Sequence, residues 1–82
     1  MSGLKLSTGQ VKAGRALLGW SQDRLADASG VSVPTIKRLE AEGGALGGRP
    51  DTVAKIRQAL ETAGIEFING DAPGVRLLRP RS

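Results

Sequence analysis

Three residue types are missing from the 82-residue chain: cysteine, histidine and tyrosine. Without cysteine there is no disulfide framework, no thiol chemistry and no thiolate ligand for zinc, a composition that suits a reducing cytoplasm. Without histidine there is no imidazole to act as a general base or a metal ligand. Aromatic residues are nearly absent, with one tryptophan and one phenylalanine. No run approaches the roughly 18–20 apolar residues needed to span a bilayer, so no membrane is expected as a partner. The start of the chain has no long apolar stretch of the kind a signal peptide carries, and a cytoplasmic location is expected. The carboxylates do not assemble a catalytic set: Glu40 and Glu42 stand two apart on or near a helix and so point in different directions. The expectation is a protein without cofactor or metal that is not an enzyme.

What remains is small and basic. Eighty-two residues make one domain near the lower limit for a self-sufficient core, and chains of this size often complete their core by dimerising. Twelve lysines and arginines against eight acidic residues leave a net charge of +4 and an isoelectric point near 10.4, which favours a polyanionic partner.

The chain is organised around residues 21–40, SQDRLADASGVSVPTIKRLE. Ser21 is a good N-cap, since its hydroxyl can accept a bond from a free first-turn amide. Leu25, Ala26 and Ala28 supply an apolar face. Gly30 stands where a helix stops and positive φ is needed, and Val31 follows as a buried plug. Ser32 caps a second helix, in whose first turn Pro34 is tolerated. Ile36 and Leu39 then face inward. Two short helices joined by a glycine-bearing turn form the helix-turn-helix pattern, with the second helix set to enter a major groove.

Gln22, Ala26, Gly30, Val31, Ser32, Ile36 and Glu40 all fall in register with one known family. At these seven positions the chain resembles the lambda-repressor-like, or xenobiotic-response-element (XRE, Cro-type), helix-turn-helix regulators. The resemblance implies double-stranded DNA as partner. It implies that Gln22 and the adjoining amides hold a phosphate, consistent with the free N–H groups of a helix N-terminus. It also implies that Val33, Pro34 and Arg38 reach base edges. Arg38 has the geometry for a bidentate contact to guanine. Val33 and Pro34 donate no side-chain hydrogen bond and can touch only apolar groups, where family members often carry polar residues. Ser32, Thr35 and Lys37 are expected at phosphates, Ser32 also as a cap. The resemblance further pairs Arg15 of the first helix with Glu40 at the end of the third.

Taken in order, helices are expected over about 8–18, 22–29, 33–41 and 50–63. Ser7 and Gln10 have capping-box spacing, with Thr8 as an alternative cap. Val11, Ala13, Ala16, Leu17 and Leu18 read as the apolar band of the first helix, with Gly14 as a point of close packing. Trp20 reads as a core residue. Leu4 and Leu6 are candidates for packing on the domain, and Lys5 for a basic arm. The stretch 42–49, EGGALGGR, has neither a preceding strand nor a following Gly-Lys-Ser/Thr, so it reads as a flexible connection rather than a nucleotide site. The resemblance brings this connection close to the DNA backbone, within reach of Arg49. Val53, Ile56, Ala59, Leu60 and Ala63 repeat at three and four, a core-facing stripe. Gly64 signals a stop.

The segment 65–82 departs from the common family pattern of a fifth helix. Two β-rich runs flank Asn69-Gly70 and Pro73-Gly74, which predicts a β-hairpin. Ile65 and Phe67 share a face, as do Val75 and Leu77, and these four are the candidate contact for a homodimer. Arg76, Arg79 and Arg81 make the end basic. The fold expected is mainly α: a four-helix helix-turn-helix domain over 1–64, then a hairpin and basic tail over 65–82. The remaining chain is too short for a ligand pocket. The function expected is a bacterial or phage-type transcriptional regulator that binds a palindromic operator as a homodimer. Two other readings compete with it. One is a DNA-binding antitoxin whose C-terminal segment also binds a partner protein. The other is an interaction module that has kept the fold without DNA binding.

Overall fold

The computed structural model describes residues 6–70 and 72–78. Along the chain come α1 (Thr8–Leu18), α2 (Gln22–Ser29), α3 (Val33–Glu42), α4 (Pro50–Thr62), β1 (Ile65–Ile68) and β2 (Gly74–Leu77). The packing candidate Leu4, the candidate arm Lys5 and the tail arginines Arg79 and Arg81 lie outside the described residues.

A serine starts each of the first three helices. The hydroxyls of Ser7, Ser21 and Ser32 accept bonds from the backbone N–H groups of Gln10, Arg24 and Thr35. Each satisfies a donor that has no partner within its helix. At α1 the capping box is complete, because the Gln10 side-chain oxygen accepts from the Ser7 N–H at 3.0 Å. The fourth helix starts instead on Pro50, whose missing N–H costs nothing at that position.

Val11, Leu25, Ile36, Leu39, Ile56 and Leu60 form the centre of the core, with side chains almost wholly withdrawn from water. Each such side chain contributes about 1.5–3 kcal/mol of transfer free energy. The apolar band of α1 is narrower than expected. Val11 and Gly14 are buried and Leu18 packs at the edge, but Ala16 is exposed and Leu17 is 47% exposed. At about 100° per residue, positions 11, 14 and 18 share a stripe that 16 and 17 miss. Trp20 is half-buried against the core rather than inside it, with the Arg24 guanidinium 5.1 Å from its ring centroid.

The glycine-rich connection 43–49 is tied down, not free. Leu46 N–H donates to the Leu6 carbonyl (2.8 Å), and Thr8 N–H donates to that of Gly44 (2.9 Å). These bonds make an isolated antiparallel bridge between Ser7 and Ala45. The expected flexibility is therefore overturned by a partner 38 residues away in sequence.

The hairpin pairs Ile65 with Leu77 and Phe67 with Val75. It packs on α1 and α4. Ile65 and Phe67 are buried in the same cluster as the helices, and Val75 and Leu77 pack against it. The four side chains expected at a dimer contact thus cover the chain's own core. A two-stranded ribbon is marginal in water, and this packing is what stabilises it. Its outer face carries Ile68, the ion-paired Glu66 and Arg76, and Leu78 just past β2.

Gln10 fixes the ribbon on α1. This buried side chain donates from Nε2 to the carbonyls of Ile68 (3.0 Å) and Gly74 (3.1 Å), the residues that close the hairpin. One residue therefore caps its helix with its oxygen and holds the hairpin with its nitrogen.

Candidate nucleic-acid interface

Gly30 ends α2 with φ 75° and ψ 14°, a left-handed conformation that glycine adopts without Cβ strain. Its N–H donates to the Ala26 carbonyl at 2.9 Å. Val31 then drops into the core at 8% exposure, and its N–H donates to the Ser29 hydroxyl. Anchored by Val31 and capped by Ser32, α3 leaves the turn with Ile36, Leu39 and Glu40 facing inward. The helical period sends Pro34, Lys37, Arg38 and Ala41 to the opposite face, where all four are exposed. Val33 and Thr35 flank this face and are half-buried.

Glu40 explains why α3 holds one orientation. Its carboxylate is 4% exposed and receives a two-pronged bond from Arg15, Nε to Oε2 at 2.8 Å and Nη2 to Oε1 at 2.7 Å. The third Arg15 nitrogen, Nη1, donates to the Trp20 carbonyl at 3.0 Å. Three helices meet here, because the Gln22 amide at the start of α2 also donates to Glu40 Oε1 at 3.0 Å. Burial pushes the Glu40 carboxyl up. The bonds from Arg15 and Gln22, with the charges of Arg15 and Lys12, outweigh burial and hold it below the ordinary value. Arg15 is raised, chiefly by its hydrogen bond to Glu40. The planar guanidinium fork matches a carboxylate in a way that lysine does not.

The residues expected to contact DNA differ in how far they are free to do so. Ser32, Pro34, Lys37 and Arg38 share the exposed face of α3 or its cap. Thr35 is bonded to Ser32, hydroxyl to hydroxyl at 2.9 Å. Gln22 has its amide nitrogen committed to Glu40, and Ser21 takes the Arg24 N–H, which leaves the backbone N–H groups of Gln22 and Asp23 as the donors at the start of α2. Arg49 is 85% exposed at the start of α4, with Asp51 at 3.7 Å as a loose partner. Lys12 was not singled out, although its charge acts on Glu40. Its position one turn before Arg15 was the available signal.

A glycine-bearing turn, an outward-facing third helix and an arginine clamp on that helix's last turn together define a helix-turn-helix domain. The Helix-turn-helix family model matches residues 11–64, and the chain belongs to this family, of the lambda-repressor-like, XRE type. It is thereby a DNA-binding helix-turn-helix regulator. No curated protein sequence matches the chain. Among the described residues no helix is long and apolar enough to cross a membrane, and no three acidic side chains come together as a metal site.

Proposed function

We propose that the protein is a sequence-specific transcriptional regulator of bacterial or phage type, acting in the cytoplasm. In this reading it binds a palindromic operator as a homodimer, with α3 of each copy in the major groove. The observation that carries the reading is the division of α3, with Ile36, Leu39 and Glu40 locked inward and Lys37 and Arg38 presented outward. Arg38 reads a guanine through its O6 and N7, and Lys37 and Arg49 fix the register on phosphates. Pro34 and Val33 touch apolar groups such as a thymine methyl, so base choice rests mainly on Arg38. At the start of α2 the backbone amides hold a phosphate, in a place where the Gln22 side chain is already engaged. The ribbon's outer face, with Ile68 38% and Leu78 51% exposed, supports a homodimer contact there.

Equilibrium binding to the preferred duplex and to single-base variants tests this. Replacing Arg38 by Ala is expected to cost about 1–3 kcal/mol and to relax preference at one base pair. Replacing Lys37 by Ala is expected to weaken all sequences alike and to lower the slope of log affinity against log salt by about one. Uniform weakening by both variants would make Arg38 a phosphate contact and remove the base-reading role.

A further inference from the structure

An open groove of about 470 Å³ lies between α2 and α4. Its size falls within the range of small-molecule sites, roughly 300–1,000 Å³. It is larger than the length of the chain led one to expect. Trp20, Arg24 and Ser29 line one side and Lys55, Gln58 and Thr62 the other, with alanines of both helices between them. The lining contains two cations and no carboxylate. Among the described residues neither Arg24 nor Lys55 has an ion-pair partner. Arg24 is held over the Trp20 ring, so its guanidinium is positioned beside a flat apolar surface.

We propose that this groove binds a small organic anion with a flat apolar body, an aromatic carboxylate in the simplest case. The ring lies along the Trp20 indole and the alanines, and the carboxylate sits between Arg24 and Lys55. The match is one of charge and shape together. A bare inorganic anion would leave the indole and the alanines in contact with water. A neutral aromatic would leave the two cations of the lining without a counter-charge. The site is also linked to the α3 clamp, because the Trp20 carbonyl accepts from Arg15, which holds Glu40. The binding itself does not depend on whether α3 reads DNA.

The chain has a single tryptophan, so the Trp20 indole N–H gives one unambiguous resonance in an ¹H–¹⁵N spectrum. The experiment titrates the whole protein with phenylacetate and, separately, with its neutral isostere phenylacetamide. Expected is a saturable shift of the Trp20 indole and of amides in α2 and α4 with phenylacetate. The amide should bind at least about tenfold more weakly, and so should phenylacetate to Arg24→Gln and to Lys55→Gln. Lys55 is exposed on α4, so its variant keeps the fold if Arg24→Gln disturbs the indole. Four results would overturn the proposal. They are no saturable shift at the highest soluble phenylacetate, shifts that map outside the groove, equal binding of the amide, and Lys55→Gln unchanged.

Discussion

Gly14 and Gly64 are under opposite constraints. A Cβ at Gly14 would lie 3.6–3.7 Å from Ile65 and Leu60, ordinary contact distance in the middle of a helix. Gly14→Ala is therefore expected to stabilise the protein by up to about 1 kcal/mol, the helix-propensity difference. Gly64 has φ 110°, and a Cβ there would meet the Leu78 carbonyl oxygen at 2.9 Å. Its own carbonyl accepts from Leu78 N–H at 2.7 Å, so the backbones cannot part without breaking that bond. Gly64→Ala should cost at least about 1–3 kcal/mol. Chemical denaturation of the two variants checks both signs, and equal effects would contradict the packing described at α1. Arg15 belongs to the same scale. Arg15→Ala leaves a sequestered carboxylate unpaired and is expected to cost about 3–5 kcal/mol, whereas Arg15→Met with Glu40→Met should be near neutral or stabilising. Because Glu40 is depressed in the folded state, its stabilisation is present above the unfolded value near 4.5 and is lost as the pH falls through the lower folded value. Thermal melts between neutral pH and pH 3 should therefore show a flatter acid limb for Glu40→Gln than for the natural chain.

At the scale of elements, what was legible in the sequence is what neighbours decide. Ser7, Ser21 and Ser32 announced three helix starts, and Gly30 announced the turn, because caps and positive φ are local matters. The inward row of the hairpin was legible from alternation, but its destination was not. Ile65 and Phe67 read equally well as an interface or as a lid, and only the third dimension shows them against α1 and α4. The same holds for Gln22, whose amide points to Glu40, and for the glycine-rich connection, whose partner is Leu6. Leu17 was misread because a contiguous run of apolar letters hid the helical period. Gln10 is the clearest case: its capping role was visible three residues away, its hold on the hairpin 58 and 64 residues away was not. Gln10→Ala removes both and leaves two carbonyls without their donor. It is expected to cost about 1–3 kcal/mol, with hydrogen exchange in β1 and β2 accelerating more than in α2 and α3.

For the whole molecule, the family fold sets DNA as the partner, and in the proposed homodimer the spacing of the two copies sets the length of site read. Ile68 and Leu78 lie on the outer face of the ribbon, on either side of the exposed Glu66–Arg76 pair, which itself adds little stability. If that face joins two copies, Ile68→Asp with Leu78→Asp should give a folded monomer by sedimentation, with weaker binding to a full site and unchanged binding to a half-site. A dimer that survives both changes would move the contact elsewhere. The central claim, that two copies read DNA with paired third helices, is tested most directly by selecting bound duplexes from a random library at near-physiological salt. The account predicts an enriched inverted repeat whose half-sites lie about one helical turn apart, roughly 34–36 Å. A pool that shows no enrichment, from a protein that is folded, would contradict it.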